Sequence, residues 1–201
     1  MQLYHHPFST FSRRVRMQLL EKAIAVDEVV VRMEHKEHKS DAYRALNPYG
    51  RVPTLVHDDL VLYESSAIMD YLEATHPEPA LLPCGEKDRA RVAMHVKLCD
   101  LEVGVHTATL TFPRRFLPRE RWNLPAQDQA RAAIQRHLEI VGQQLGHRLY
   151  LVADAFTLAD LAYCILTPFV ALHELSPPAN VRAWMERIEA RPSAVATRAP
   201  R

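Results

Sequence analysis

A proline-rich segment near the middle of the chain separates two stretches with different secondary-structure patterns. The sequence from His76 to Pro83 holds three prolines in eight residues, and proline excludes both continuous helix and continuous sheet. Strand and helix patterns alternate before this segment, whereas only helical patterns of comparable length follow it. A chain of 201 residues can form two small domains. We therefore predict an N-terminal domain over 1–76, a linker over 77–85 and a helical domain over 86–201.

The N-terminal stretch predicts a small mixed sheet with helices on both faces, in the order βαβ, α, ββα. Its strand signals are residues 2–4, a β-branched run in 28–33 that suits a buried strand, and two apolar runs between 52 and 63. Its helical patterns are residues 12–22, 41–46 and 65–75. In the first of these helices, the pattern puts Arg13, Arg14 and Arg16 largely opposite the apolar side.

The C-terminal stretch predicts helices separated by prolines and one glycine. The predicted helices are 86–111, 127–145, 158–172 and 180–190. The breaks fall at Pro113, Pro118, Pro125, Gly146, Pro177, Pro178 and Pro192. Thr157 and Asp160 form a Thr-x-x-Asp capping box, which predicts a helix start and no chemical role. The apolar run 149–152 is short and ambiguous between strand and helix.

Composition argues against several classes of function. The formal net charge of +1 gives no sign of a nucleic-acid surface, and no apolar run approaches the roughly 20 residues that cross a bilayer. The first residues lack the parts of a signal peptide and fit the first strand instead, and the cysteine pattern leads us to expect a cytoplasmic protein. The three cysteines form no Cys-x-x-Cys pair, and the five glycines form no phosphate-binding pattern. We therefore expect no disulfide framework, no metal and no nucleotide cofactor.

The segment from Asn47 to Ser65 combines an extended backbone edge with a helix start. Val52 is held extended because it precedes Pro53, and the residue before proline avoids the α region. Two apolar runs separated by two aspartates follow and predict a tight hairpin. Ser65 then opens a helix whose unpaired amides face any anion bound there. An extended edge beside an anion site suits a short, charged peptide.

The loop after the first strand carries hydroxyl side chains at the start of a helix. The Ser9 hydroxyl can donate to a sulfur anion there, and the helix terminus adds a favourable potential. Free thiols have a pKa of about 8.5, and lowering it by about two units requires about 2.7 kcal/mol of preference for the thiolate. One charged hydrogen bond and a helix terminus supply most of that. The alternative is that Ser9, Thr10 or Ser12 only caps the helix.

These motifs together resemble the glutathione S-transferase family. The resemblance runs from Leu3 to about Ala194 and is most specific in the segments 7–16, 47–55, 64–72 and 156–160. The serine-type enzymes of this family, which include the zeta and delta classes, have motifs similar to Pro7-x-Ser9 and Arg14-Val15-Arg16. The chain resembles a bacterial cytosolic enzyme of this type. The resemblance implies an α/β thioredoxin-like N-terminal domain followed by an all-α helical bundle, the architecture of cytosolic glutathione transferases.

The resemblance implies how the thiol end of glutathione, the co-substrate, is held. Ser9 is the catalytic hydroxyl that stabilises the thiolate, and Ser12 caps the helix. Thr10 is the alternative, because beta-class enzymes have a cysteine at the matching place. The backbone of Val52, before a cis Pro53, pairs with the cysteinyl part of glutathione.

The resemblance also implies contacts at the two charged ends of glutathione. Ser65 holds the γ-glutamyl carboxylate and Glu64 the ammonium, although Ser65 can equally be only the cap of its helix. The glycyl carboxylate needs a cation. The candidates are Arg51, Lys39, His35 and His38, which as an alternative form a cluster of solvated charges.

The second substrate, a small hydrophobic electrophile, is expected between the two halves. The predicted pocket residues are His6, Phe8, His106, Phe112 and Arg115, with Phe116 and Trp122 as further candidates. His106 stands where beta-class enzymes also have histidine, but a helix histidine can be purely structural. Phe112 and Phe116 are four residues apart and can equally pack on each other.

The predicted reaction is conjugation of glutathione to the electrophile, as in detoxification by this family. Isomerisation, peroxide reduction and dehalogenation use the same thiolate and stay open as alternatives. The family also implies a homodimer, formed between the sheet half of one subunit and the helical half of the other.

The chain is also similar to the stringent starvation protein A family, transferase-like regulators that bind RNA polymerase and lack transferase activity. The shared features are Glu21-Lys22, Asn47-Pro48, 52–56, Glu64-Ser65 and 68–72. The Pro-x-Ser loop at Ser9 distinguishes the two interpretations, because the regulators do not carry it. We therefore favour the enzyme and keep the regulator as the alternative.

Overall fold

The computed structural model describes residues 1–199, so the last two residues of the predicted helical domain, 200 and 201, lie outside the described residues. The chain forms two compact units. The first unit contains residues 1–81 together with the C-terminal residues from 190, and the second contains residues 82–189. Residues 76–85 form no helix or strand, as the three prolines predict.

A four-stranded mixed sheet forms the base of the first unit. Its strands are β1 (Gln2–His5), β2 (Asp27–Val30), β3 (Thr54–His57) and β4 (Leu60–Tyr63), in the order β2-β1-β3-β4. β1 pairs parallel with β2 and antiparallel with β3, and β3 pairs antiparallel with β4. The register puts Leu3 opposite Leu55, and both side chains are fully buried. Because side chains alternate along a strand, this register fixes which face of the sheet is apolar.

The prediction of a buried strand in 28–33 was wrong in its extent and its burial. β2 ends at Val30, whose side chain is half exposed, and only the following Val31 is buried. The reason is the position of β2 at the edge of the sheet, which a β-branched run alone does not reveal.

Three helices accompany the sheet, α1 (Thr10–Glu21), α2 (Asp41–Leu46) and α3 (Ser65–Thr75). α1 and α3 pack together, Val15 of α1 and Leu72 of α3 are fully buried, and Gln18 Nε2 donates to Met69 O at 2.9 Å. The arginines of α1 do not follow the predicted pattern, because Arg13 and Arg14 are both buried.

A buried ion pair joins the end of α1 to α3. Lys22 Nζ lies 2.7 Å from Glu73 Oε2 and donates to Pro79 O at 2.7 Å. The other oxygen of the carboxylate, Glu73 Oε1, accepts the amide of Leu81 at 2.9 Å. These bonds fasten residues 79–81 to the two helices, so the start of the linker belongs to the first unit.

The C-terminal helix α9 (Pro192–Ala196) packs on α1, which corrects the predicted assignment of these residues to the helical domain. Arg13 Nη2 donates to Ala194 O at 3.1 Å. Glu21 accepts two bonds from Arg191, at 2.8 and 2.6 Å, and a further bond from the Ser193 hydroxyl. Burial raises the pKa of the Glu21 carboxyl, but the bonds from Arg191 and Ser193 outweigh it and hold that pKa below its usual value.

The second unit consists of five helices within the described residues. They are α4 (Glu86–Leu98), α5 (Val105–Phe116), α6 (Leu124–Leu145), α7 (Leu158–Ala162) and α8 (Ala179–Glu189). A π-helical segment, Cys99–Gly104, joins α4 to α5. Two predictions were wrong here. The predicted break at Pro113 does not occur, because Pro113 lies inside the last turn of α5, where the Leu117 amide donates to Pro113 O. The predicted helix 158–172 ends at Ala162 and continues as two 3₁₀ turns, the second of which contains Pro168.

The predicted capping box at Thr157 is confirmed. Asp160 accepts the Thr157 amide and the Leu151 amide, each at 2.9 Å, and Trp184 Nε1 at 2.9 Å. Burial raises the pKa of the Asp160 carboxyl, although these bonds act in the opposite direction. The run 149–152 forms no strand and only one isolated bridge, from Val152 to Ala155.

Two histidines of the second unit are buried, His95 on α4 and His137 on α6. His137 Nε2 is 2.8 Å from the Tyr163 hydroxyl, and the two rings are stacked. His95 of α4 is 4% exposed, and its Nδ1 has no hydrogen-bond partner within residues 1–199. Burial is the largest cause that lowers the pKa of His95 to about 4, followed by the repulsion that a protonated His95 would meet from a protonated His137 and from Arg148. Both histidines are therefore held as neutral side chains.

Candidate functional site

A buried polar network fixes the loop between α2 and β3. Tyr43 OH donates to Arg51 O at 2.7 Å, and Asn47 Nδ2 donates to the same carbonyl at 2.9 Å. Both side chains also contact Thr54 Oγ1, at 3.0 Å each. Burial raises the pKa of the Tyr43 hydroxyl, so it stays a neutral donor. The carbonyl of Arg51 is thus held from two sides, which sets the direction of the chain that follows.

Gly50 allows this loop its tight turn. Its φ is +57°, and a Cβ there would lie 2.5 Å from His38 O, so the position requires glycine. Lys39 Nζ donates to Gly50 O at 3.0 Å and to Tyr49 O at 3.5 Å. The ammonium of Lys39 is therefore held against the loop that carries Arg51.

The bond between Val52 and Pro53 is cis, as the family resemblance implies. Val52 precedes β3 and is not part of it. Within residues 1–199, neither the amide nor the carbonyl of Val52 forms a hydrogen bond. Val52 therefore offers one free donor and one free acceptor, the pair that an extended peptide uses when it adds to a strand.

The start of α3 carries an unusual backbone conformation. Glu64 has φ 70° and ψ 109°, a combination that costs a residue other than glycine on the order of 1–3 kcal/mol. Glu64 is the N-cap but gives no side-chain cap bond, so the alternative of Ser65 as the cap was wrong. Ser65 is the first residue of α3 and accepts Arg14 Nε on its hydroxyl at 2.9 Å. The first amides of α3 are therefore uncapped beside an exposed carboxylate.

These elements line a cleft of about 120 Å³ in the first unit. Its walls contain five of the predicted glutathione-site residues: Arg51, Val52, Pro53, Glu64 and Ser65. Two further wall residues, Phe11 and Asn47, were missed. Asn47 follows a short helix and precedes a proline, and that signal alone indicates only a turn. Ser9, Thr10 and Lys39 are not among the residues that line the cleft.

Ser9 is the N-cap of α1, so the assignment of that role to Ser12 was wrong. Ser9 Oγ accepts the Ser12 amide at 3.2 Å, and Ser12 lies buried within the helix. The Ser9 amide donates to His6 O at 2.9 Å. Because the Ser9 oxygen acts as an acceptor in the cap, its own hydrogen is left to donate elsewhere. Capping and thiolate stabilisation are compatible roles for this hydroxyl.

His5, the last residue of β1, and His6, the next residue, each lie beside a carboxylate. His6 Nδ1 accepts the Phe8 amide at 3.3 Å, which leaves His6 Nε2 as the protonated nitrogen, 3.4 Å from Glu34 Oε2. His5 Nε2 lies 3.1 Å from Glu28 Oε2, and burial is the largest cause that lowers the pKa of His5. His6 is buried whereas Phe8 is half exposed, so Phe8 presents the accessible ring of this loop.

The remaining predicted pocket residues, His106, Phe112 and Arg115, all lie on α5 of the second unit. The rings of Phe112 and Phe116 are 5.0 Å apart, and the Arg115 guanidinium lies 5.6 Å from the centre of the Phe116 ring. Phe112 and Phe116 are both more than half exposed, so their packing does not bury them. His6 and Phe8 belong to the other unit, and the five-residue pocket stays a prediction.

No group of three or more histidine, cysteine or carboxylate side chains within 1–199 is arranged to hold a metal ion. No helix in the same range is both long enough and apolar enough to cross a membrane.

Comparisons with known proteins give matches along both halves of the chain. The family model for the glutathione S-transferase N-terminal domain matches residues 3–80, and the model for the C-terminal domain matches residues 125–187. Glutathione S-transferase F7 of Arabidopsis thaliana is 30% identical over an alignment of 204 positions, which covers 96% of this chain and 97% of the relative.

Two further similarities extend the comparison. The stringent starvation protein A homolog of Coxiella burnetii is 32% identical over 170 residues, covering 85% of this chain and 74% of the relative. Glutathione transferase F2 from Populus trichocarpa superposes with a TM-score of 0.87 at 27% identity, covering 98% of this chain and 96% of the other. The predicted architecture, a thioredoxin-like domain followed by an all-helical one, is confirmed.

Proposed function

Because the chain belongs to the glutathione S-transferase family, we propose that it binds glutathione in the cleft of the first unit and adds the thiolate to a hydrophobic electrophile. The free donor and acceptor of Val52, beside the uncapped start of α3, carry this proposal. A tripeptide with two carboxylates and one ammonium matches an extended edge that ends at a helix N-terminus.

Each part of glutathione has a partner in this arrangement. The cysteinyl backbone pairs with Val52, and the γ-glutamyl carboxylate binds the Ser65 hydroxyl and the first amides of α3. The exposed carboxylate of Glu64 takes the ammonium. Arg51 on the cleft wall and Lys39, held against the same loop, are the cations for the glycyl carboxylate.

Ser9 is the proposed thiolate-stabilising hydroxyl, with Thr10 as the alternative. The Ser9 oxygen is fixed by the Ser12 amide, which orients the hydroxyl and leaves its hydrogen free for a sulfur anion. A charge-assisted bond of this kind contributes about 1.5–3 kcal/mol, and the α1 N-terminus adds about 0.3–1 kcal/mol. Together these reach the roughly 2.7 kcal/mol needed to lower a thiol pKa by about two units.

The proposed reaction is conjugation. Glutathione loses its thiol proton to water, and the sulfur electron pair forms a bond to the electrophilic carbon. The bond broken at that carbon is the one to a leaving group, which departs with its electron pair, or the π bond of an activated alkene, whose electron pair takes a proton from water. The chain supplies positioning and thiolate stabilisation. His6, Phe8, His106, Phe112 and Arg115 are the residues proposed to contact the electrophile. Isomerase, peroxidase and dehalogenase variants use the same thiolate and are separated by a substrate screen.

Calorimetric titration of glutathione into the wild type and Ser9→Ala tests this proposal, with the ultraviolet thiolate absorbance recorded in parallel. We expect both proteins to bind and only the wild type to show the thiolate at neutral pH. Since Ser9→Ala also removes a helix cap, Thr157→Ala is the matched control, because it removes a cap in the second unit. An absence of binding by the wild type contradicts the proposal, and a thiolate signal that persists in Ser9→Ala moves the role to Thr10.

We also propose a cytoplasmic homodimer with a detoxification role. Within residues 1–199 no cysteine forms a disulfide, which suits a reducing compartment. Met94, Leu101 and Val105 are 44%, 62% and 58% exposed, and such apolar side chains favour burial against a second subunit. Light scattering of the wild type should give twice the chain mass, and Leu101→Glu should give the monomer. A monomeric wild type contradicts the dimer.

A regulator that binds RNA polymerase is the second candidate, because of the 32% identity to a stringent starvation protein A homolog. The same titration separates the two functions. Retention of RNA polymerase by a wild-type protein that does not bind glutathione favours the regulator, whereas glutathione binding with thiolate formation favours the enzyme.

A further inference from the structure

A buried arginine lies directly behind the anion-binding end of the cleft. Arg14 of α1 is 1% exposed, and its Nε donates to Ser65 Oγ at 2.9 Å. Ser65 is 3% exposed and lines the cleft at the first position of α3. The guanidinium also lies 5.2 Å from the centre of the Phe11 ring, another cleft wall residue. A permanent positive charge and a helix N-terminus therefore meet at one hydroxyl.

The direction of the hydrogen bond decides what this hydroxyl can offer a ligand. Arginine has donors and no acceptor, so Arg14 must donate and Ser65 must accept. The Ser65 side chain is not used as a helix cap, because Glu64 is the N-cap and no side chain caps α3. The one hydrogen of the Ser65 hydroxyl is thus left to donate to a ligand. A bond from a charged donor also polarises the hydroxyl and strengthens that second bond.

We propose that Arg14 is a positioning residue that makes Ser65 a dedicated donor and so selects a ligand with a charged γ-glutamyl carboxylate over the corresponding neutral amide. This inference rests on the proposed function, since it concerns the same glutathione site. Arg14 acts through Ser65, and its charge favours an anion more than a neutral carbonyl oxygen. The preference of the site for the anion is therefore set on α1, one helix away from the ligand.

Arg14 can also have a structural role alone, since it links α1 to α3. A structural loss lowers stability or the folded fraction and weakens all ligands alike, whereas the proposed role changes the ratio between two ligands. The probes are glutathione and a glutathione analogue in which the γ-glutamyl α-carboxylate is a carboxamide. Both keep an oxygen that accepts from Ser65, but the carboxamide has no charge and has an NH₂ donor in place of the second oxygen. Only the change in the preference on substitution of Arg14 therefore reports on that residue.

The readout is the dissociation constant of the carboxamide analogue divided by that of glutathione, both measured by calorimetry. We expect the ratio to fall by roughly tenfold in Arg14→Met, the loss expected for a hydrogen bond with a charged partner. Arg13→Met is the matched control, because Arg13 is the neighbouring buried arginine of α1 and donates to Ala194 O. It should lower thermal stability and leave the ratio unchanged.

Two further variants keep the test decisive. Ser65→Ala and Arg14→Met should weaken glutathione binding less in combination than the product of the single effects, because one acts through the other. If Arg14→Met does not fold, Arg14→Lys keeps the charge, loses the fixed Nε geometry and should lower the ratio by a few-fold. A ratio equal to that of the wild type in the folded Arg14 variant overturns the inference alone. An absence of glutathione binding by the wild type overturns the proposed function and the inference with it.

Discussion

The buried His95 makes the second unit sensitive to acid. Its imidazole is 4% exposed on α4, and burial lowers its pKa from the ordinary 6.5 to about 4. Below pH 6.5 the unfolded chain takes up a proton at this position, whereas the folded chain takes it up only near pH 4. The stabilisation from a neutral His95 is therefore complete above pH 6.5 and is lost as the pH falls towards 4.

The size of the loss follows from the two pKa values. One pKa unit corresponds to about 1.4 kcal/mol, so the full difference amounts to about 3 kcal/mol. About 2 kcal/mol of it is lost between pH 7 and pH 5, because the folded chain is still unprotonated there. Averaged over this window the proton contributes about 1 kcal/mol per pH unit to the slope of the free energy of unfolding, and the slope approaches the one-proton limit of about 1.4 kcal/mol per unit only near pH 5. His137 and His173, whose pKa values burial also lowers, add to the wild-type slope.

Urea denaturation of wild type and His95→Leu at several pH values between 7 and 4.5 measures this slope, with tryptophan fluorescence reporting on Trp184 in the same unit. We expect His95→Leu to have the shallower slope, with the difference closest to one proton near pH 5. His147→Gln is the control, because this exposed imidazole is in solvent before and after unfolding. Equal slopes for wild type and His95→Leu refute the reasoning, as does a His95 resonance that titrates near pH 6.5 in the folded protein.

Three further perturbations have defined outcomes. Lys22→Met should lower the free energy of unfolding by about 3–5 kcal/mol, because it leaves the Glu73 carboxylate buried without its ion-pair partner; adding Glu73→Gln should restore most of the loss in the same denaturation assay. Gly50→Ala should weaken glutathione binding in calorimetry. It should also lower the free energy of unfolding by about 1–2 kcal/mol or more, since φ is +57° and the new Cβ clashes with a backbone carbonyl. Gly85→Ala, where the nearest atom is 4.0 Å away, is its control and should bind normally. Thr157→Ala should lower stability by about 1 kcal/mol through loss of its cap, and an unchanged denaturation midpoint contradicts this.

The parts of the site that depend on local chain chemistry were predictable from the sequence. Pro53 restricts the residue before it, and the two apolar runs after it predict the hairpin that β3 and β4 form. Thr157 and Asp160 are three residues apart, the spacing that a capping box requires. Each of these signals lies within a few residues of the feature that it predicts.

The parts that depend on partners distant in sequence were not predictable. Arg14 and Lys22 carry the residue types of a solvent-facing side, yet both are buried because Ser65 and Glu73 of α3 accept their hydrogen bonds. These partners are 51 residues apart in the sequence in each case. Helical periodicity in a single segment contains no information about a polar partner on another helix.

The return of α9 to α1 has a consequence for the order in which the protein can be made. The ribosome synthesises α9 about 170 residues after α1. Until then, Arg13 and Glu21 lack the partners that Ala194 and Arg191 provide. A nascent chain that ends in the linker therefore has the whole sheet but an unfinished outer surface on α1. The first unit therefore acquires its last contacts only after residues 82–189 of the second unit have been synthesised.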